Sequence, residues 1–127
     1  MRVAFDTNRY VDFCRGAPDV VTILENAEAV LLPFVAVGEL RVGFAVDTKG
    51  AHNERILRRF LMKDGVSVLL ADEESTHHYA SLYRHLRFQG TPIPANDIWI
   101  AALVAQHGLT LCARNRHFDH LPQLVRV

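Results

Sequence analysis

The chain has little of several things, and each shortage excludes something. It holds two cysteines, Cys14 and Cys112, far apart and without metal-ligand spacing. That argues against a disulfide framework and for two reduced thiols in a cytoplasmic protein. No apolar run is long enough to span a bilayer, and the N-terminus lacks a secretory apolar region, so no membrane association is expected. Neither charge is in excess, with 14 Lys plus Arg against 14 Asp plus Glu. No net field announces a nucleic-acid binder, although local clustering can replace net charge. The seven histidines are scattered and none lies in an H-E-x-x-H pattern. There is no internal repeat and no low-complexity linker. A chain of 127 residues, half of them apolar, is expected to form one domain over residues 1–127 with a sizeable core.

What is present alternates. Val3–Phe5 reads as a buried strand, followed by a short helix through Tyr10, Val11 and Phe13 that stops near Gly16. Pro18-Asp19 opens a second helix, and Ala29–Leu32 is a strand closed by Pro33. PFVAVGELRVGFA reads as a helix buried nearly all round. Lys49–Lys63 is amphipathic, and Val66–Leu70 returns as a strand. Asp72 caps a long helix with Glu73 and Glu74 in its first turn, ending at Gly90. Asn96 is expected to cap the helix DIWIAALVAQH, which ends at Gly108. Leu109–Ala113 is a further strand, and Val125 and Val127 suggest a last short one. Strands alternating with helices predict an α/β fold with a mostly parallel sheet. Ligands of such sheets gather at the carboxyl ends of the strands, where both Asp6 and Asn115 fall.

Three acids sit where acids are awkward: Asp6 ends a buried strand, Glu39 lies within an apolar helix, and Asp97 precedes Ile-Trp-Ile-Ala-Ala. Buried carboxylates are costly unless paired, hydrogen-bonded or bound to metal. Each has a plain alternative: Asp6 as a helix cap, Glu39 paired with Arg41, Asp97 as a favourable first-turn charge. Three coincidences on the most apolar segments are less probable than one shared site. If the acids converge, mutual repulsion raises their pKa values, and a hard divalent cation such as Mg²⁺ or Mn²⁺ relieves it.

FDTNRYVDF, PFVAVGELRVGF and NDIWIAALVAQHGLTLCARNRHFDHL resemble the successive blocks of PIN-domain ribonucleases, and among them the VapC-like toxins of bacterial toxin–antitoxin pairs. The order and spacing fit along essentially the whole chain. The resemblance implies a PIN-like three-layer sandwich, a central mostly parallel sheet flanked by helices. It places Asp6, Glu39 and Asp97 as ligands of Mg²⁺ or Mn²⁺, and Asn115 at the fourth site position, where many relatives carry Asp. Asn supplies no charge there and would hold water or substrate, with Asp119 nearby as a possible compensation. Relatives often carry Thr or Ser where this chain has Ala113; Thr7 can supply a carboxylate-orienting hydroxyl instead, while Asn8 reads as more cap than catalyst.

The implied reaction is hydrolysis of RNA phosphodiesters by water, leaving 5′-phosphate and 3′-hydroxyl ends. Thr7, Arg114 and Arg116 are candidate substrate contacts, ahead of a basic stripe of His52, Arg55, Arg59 and Lys63 with Arg58 beside it, and of Arg84 and Arg87. The resemblance further implies a cognate antitoxin that blocks the acidic pocket and a homodimer formed through helices of the first half. Phe34, Val37, Phe44 and the Ile56–Phe60 face are candidate apolar surface for either, with core packing the default for each. Rival readings are a catalytically weak or inactive binding module of the same fold, favoured by Asn115 and Ala113 and opposed by the retention of Asp6, Glu39 and Asp97, an aspartyl phosphatase, disfavoured by Asn8, and an α/β protein with unconnected acids.

Overall fold

The computed structural model describes residues 1–127. Five strands form one sheet: β1 (Arg2–Phe5), β2 (Ala29–Pro33), β3 (Val66–Leu69), β4 (Thr110–Cys112) and β5 (Val125–Arg126). The order is β3-β2-β1-β4-β5, and every pairing is parallel. Six helices flank it: α1 (Thr7–Cys14), α2 (Pro18–Asn26), α3 (Phe34–Val46), α4 (Gly50–Leu61), α5 (Glu73–Gln89) and α6 (Ala95–His107).

Alternation along the strands creates two cores. Val3 and Phe5 face one side, with Val30, Leu32, Val37, Leu40, Leu57 and Phe60 from the elements around α1–α4. Ala4 faces the other, with Leu111 and the apolar faces of α5 and α6. The central strand β1 is thus buried on both faces, which is why Val3–Phe5 is apolar without alternation, while the edge strands β3 and β5 are partly exposed. β1 is where the order turns back: β2 and β3 extend to one side, β4 and β5 to the other. The crevice beyond the carboxyl ends of β1 and β4 is the switch point at which such sheets bind ligands.

Turn chemistry sets the helix limits. Asp72 and Ser75 form a reciprocal capping box, and Gly90 closes α5 at φ 78°, a left-handed conformation that glycine adopts freely. Gly50 admits the close α3–α4 turn, because a Cβ there would lie 1.8 Å from the Phe44 carbonyl oxygen.

Several expectations need correction. α3 is not buried all round: Ala36, Val37 and Leu40 are buried, while Val42 and Val46 are 68% and 84% exposed. One face of this apolar helix meets the sheet and its neighbours, and no element of the chain covers the other. Asn96 does not cap α6. The helix begins two residues earlier, at Ala95, with Pro94 in the cap position and no side-chain cap. The Pro94 carbonyl takes the N–H groups of Asp97 and Ile98 directly. β4 is also shorter than Leu109–Ala113, and the polar segment after it winds into a 3-10 turn over Arg116–His120.

Candidate functional site

Asp6 follows β1 and begins α1. Its N–H donates to the Cys112 carbonyl, pinning the ends of β1 and β4 together. Its Oδ1 accepts the Thr7 N–H at 2.7 Å, and its carbonyl accepts the N–H groups of Arg9 and Tyr10. The cap is therefore Asp6 itself, not Asn8, which is exposed. Capping does not exhaust the carboxylate. Asp6 is 4% exposed, and its pKa is pushed up to about 6. Burial is the largest cause; the Thr7 N–H opposes it, Asp97 and Glu39 add repulsion, and Arg114 pulls the value back.

Glu39 reaches the same region from an exposed position on α3. Its Oε1 accepts the Thr7 hydroxyl at 2.9 Å. The pairing with Arg41 considered above does not occur: Arg41 is engaged by Glu54 at 2.8 Å. Thr7 thus touches two of the three acids, its backbone on Asp6 and its hydroxyl on Glu39. Asp97, in the first turn of α6 and 7% exposed, lies 2.6 Å from His117 Nδ1 through its Oδ2. With the carboxylate ionised, Nδ1 carries the shared proton. His117 is 20 residues away in sequence and enters through the 3-10 turn. It is the site neighbour that sequence reading missed; its only signal was a place two residues after Asn115.

The loop after β4 supplies the remaining candidates. Asn115 caps the 3-10 turn, its Oδ1 accepting the His117 N–H at 2.9 Å. Arg114 forks onto Asp12, Nε at 2.8 Å and Nη2 at 3.3 Å, and its charge is felt at Asp6. Asp12 also accepts from Arg9 at 3.2 Å, and Arg9 reaches Asp19 at 2.7 Å. Arg114 first, then Arg9, holds the Asp12 carboxyl below its ordinary range. Arg116 is exposed and forms no ion pair. Asp119 is taken by Arg126 at 2.5 Å, while Nη2 of the same guanidinium donates to the Ala113 and Asn115 carbonyls. Asp119 therefore braces the loop against β5. The basic stripe on α4 lies with α3 and β3, on the far side of β1 from β4.

Oxygen donors, two of them on buried acids, and an uncompensated negative potential at Asp6 suit a hard divalent cation. The donors are not drawn into a finished cage: no three acidic, imidazole or thiol groups converge on one point. None of the surface hollows is lined by Asp6, Glu39 or Asp97.

Comparison with known proteins agrees with this architecture. The PIN domain family matches residues 3–124. The toxin FitB of Neisseria gonorrhoeae is 31% identical over 121 residues, covering 89% of this chain and 87% of that protein. Ribonuclease VapC1 of Haemophilus influenzae is 30% identical over 115 residues, covering 85% and 79%. The crystal structure of VapBC2 from Rickettsia felis, bound to a DNA fragment from its promoter, superposes with a TM-score of 0.87 at 25% identity, covering 100% of this chain and 98% of that one. The chain belongs to the PIN-domain family, within its VapC/FitB toxins.

Proposed function

We propose that this PIN-domain protein is a metal-dependent endoribonuclease, the toxin of a toxin–antitoxin pair, folded as one domain over residues 1–127 and acting in the cytoplasm. The observation that carries the reading is Asp6: a buried carboxylate with a pKa near 6, repelled by Asp97 and Glu39 at the carboxyl end of the central strand. The relatives named ribonuclease support the reaction class.

Asp6, Glu39 and Asp97 would hold Mg²⁺, with Mn²⁺ able to replace it. When bound, such an ion supplies Lewis acidity, favouring attack by water and neutralising charge on the scissile phosphate. The chain's own residues do the positioning. Thr7 orients Asp6 through its N–H and Glu39 through its hydroxyl. His117 fixes the rotamer of Asp97. Arg114, steadied by Asp12, and Arg116 contribute positive charge toward the RNA backbone. Asn115, held by the 3-10 turn, takes a neutral role toward water or substrate.

Solved VapBC and FitAB structures are complexes, which supports an antitoxin as partner. The uncovered face of α3, with Val42 and Val46, supports an apolar contact between two copies in a homodimer. The test is cleavage of total RNA by the antitoxin-free protein with Mg²⁺, Mn²⁺ or EDTA, beside Asp6→Asn. Fragments with 5′-phosphate ends, made only with metal and absent in the variant, are expected; metal-independent cleavage would overturn the reading. Asn115 favours a second one, a catalytically weak RNA- or protein-binding module, because its carboxamide is occupied as a cap and adds no charge. Metal-dependent binding without cleavage by folded protein would select it.

A further inference from the structure

Beside Asp97 the surface carries a hollow that the acidic site does not use. It encloses about 240 Å³ and is lined by Tyr83, Leu86, Arg87, Pro92, Ile93 and Ile98. The floor is apolar, and Ile98 directly follows Asp97 in α6. Tyr83 stands at the wall, 47% exposed, and its ring is the outermost of three. Tyr79 stacks near-parallel on Tyr83 at 6.4 Å, and Trp99 packs on Tyr79 at 4.2 Å. Residues 79, 83 and 87 fall four apart, so Arg87 is the next group along the same face of α5. One residue from Tyr83, Arg84 lies over the ring of Phe88, which is 77% exposed. From Thr76 to Asn96 the chain has two arginines and three histidines and no acid.

We propose that the Tyr83–Arg87 hollow is a stacking subsite for one nucleobase of single-stranded RNA, adjoining the acidic site at Asp97. The proposal rests on the RNA-cleaving reading above and gives it a substrate contact outside the acidic cluster. A ring on an apolar floor, with guanidinium charge beside it, is the combination that binds a base by its face and its phosphate by charge, with little regard to sequence. The hollow is smaller than the roughly 300–1,000 Å³ of drug-sized ligand sites, which suits a single planar base. The acid-free stretch around it is complementary to a polyanion and contrasts with the paired charges of α4, where Glu54 engages both Arg41 and Arg58. The Tyr79–Trp99 pair lies on one side of the Tyr83 ring and continues the aromatic surface inward.

The test uses the full chain and a fluorescent single-stranded RNA of about ten nucleotides, within the usual span of such sites. Binding is read by anisotropy in EDTA, for wild type, Tyr83→Ala and Tyr83→Phe, with sedimentation velocity on the same samples. Tyr83→Ala is expected to bind about tenfold more weakly and Tyr83→Phe like wild type, since Phe keeps the stacking face. A 4-thiouridine version of the RNA is expected to crosslink within residues 76–96. Unchanged affinity in Tyr83→Ala, no binding by wild type, or crosslinks confined to other segments would overturn the subsite. So would a changed sedimentation coefficient with unchanged RNA affinity, which would assign the hollow to a protein contact. Cleavage with Mn²⁺ is followed separately. Cleavage with no effect of Tyr83 removes the subsite and leaves the nuclease; Tyr83-dependent binding without cleavage does the reverse.

Discussion

Asp6 and Asp12 lie six residues apart on either end of α1, and their carboxyl groups are shifted in opposite directions. Asp12 sits between two guanidinium groups, Arg114 and Arg9, and is easier to ionise than usual. Asp6 is buried beside two further carboxylates and is harder to ionise, up to about 6. Two things separate them: Asp6 is the more deeply buried, and burial is the largest cause of its rise, whereas the largest influence on Asp12 is the opposite charge of Arg114. The Asp12 network is internally balanced and reads as architecture. The Asp6 group lacks such a partner, and that is the charge the proposed cation would balance. Arg114 links the two, bonded to one acid and felt by the other.

The largest test of this contrast is Asp6→Asn. RNA cleavage is expected to fall by about a thousandfold or more, the scale of losing several kcal/mol of metal-assisted stabilisation. The same change should stabilise the metal-free fold. Folded Asp6 holds its proton more tightly than the unfolded chain does. Its contribution to stability is complete below its ordinary value of 3.8 and is lost as pH rises through about 6. A rise from 3.8 to about 6 corresponds to about 3 kcal/mol of strain at neutral pH, which Asn removes while keeping the cap. Urea titrations in EDTA should show Asp6→Asn more stable at pH 7 and equal to wild type near pH 4. Destabilisation at pH 7 would break the comparison.

Asp12→Asn should do the opposite, destabilising by about 1–2 kcal/mol through weakened charge-assisted bonds from Arg9 and Arg114. Its contribution is present above the ordinary carboxylate range and fades as pH falls through its lowered value, so the deficit should shrink in acid. Next in size, Thr7→Val removes the hydroxyl bond to Glu39. It should weaken Mn²⁺ binding about tenfold by calorimetry, with Thr7→Ser close to wild type. The smallest effect is expected at Arg116, exposed and unpaired. Arg116→Ala should reduce RNA affinity only a few-fold and lower the salt dependence by about one phosphate contact. Loss of cleavage there would show that Arg116, not the anchored Arg114, serves the reacting phosphate.

The two most apolar helices show how far reading the chain reaches. α3 and α6 are alike in being mostly apolar, α3 rich in Val and Phe, α6 in Ala and Ile. α6 does bury the run Ile100–Val104, whereas α3 exposes Val42 and Val46. A uniformly apolar pattern says that a surface is to be covered, but not whether the same chain covers it. The site was legible to a similar depth. Acids on apolar segments single out Asp6 and Asp97, which are buried, because burial of charge is locally conspicuous; Glu39 shares an apolar helix but is exposed, so the expectation of a buried acid fails there. His117, the Arg114–Asp12 fork and the Asp119–Arg126 brace are ordinary polar residues that become informative only when distant segments meet.

By itself the sequence determined the alternation of strands and helices, the parallel sheet and the awkward acids. Those follow from periodicity, caps and the cost of burying charge, all of which act between near neighbours. Tertiary structure alone decided which cation faces which acid. It brought β4 beside β1, set Arg114 on Asp12 instead of Asp6, turned His117 onto Asp97 and left one face of α3 open. Electrostatic partners depend on distances across the fold, and spacing along the chain does not encode them.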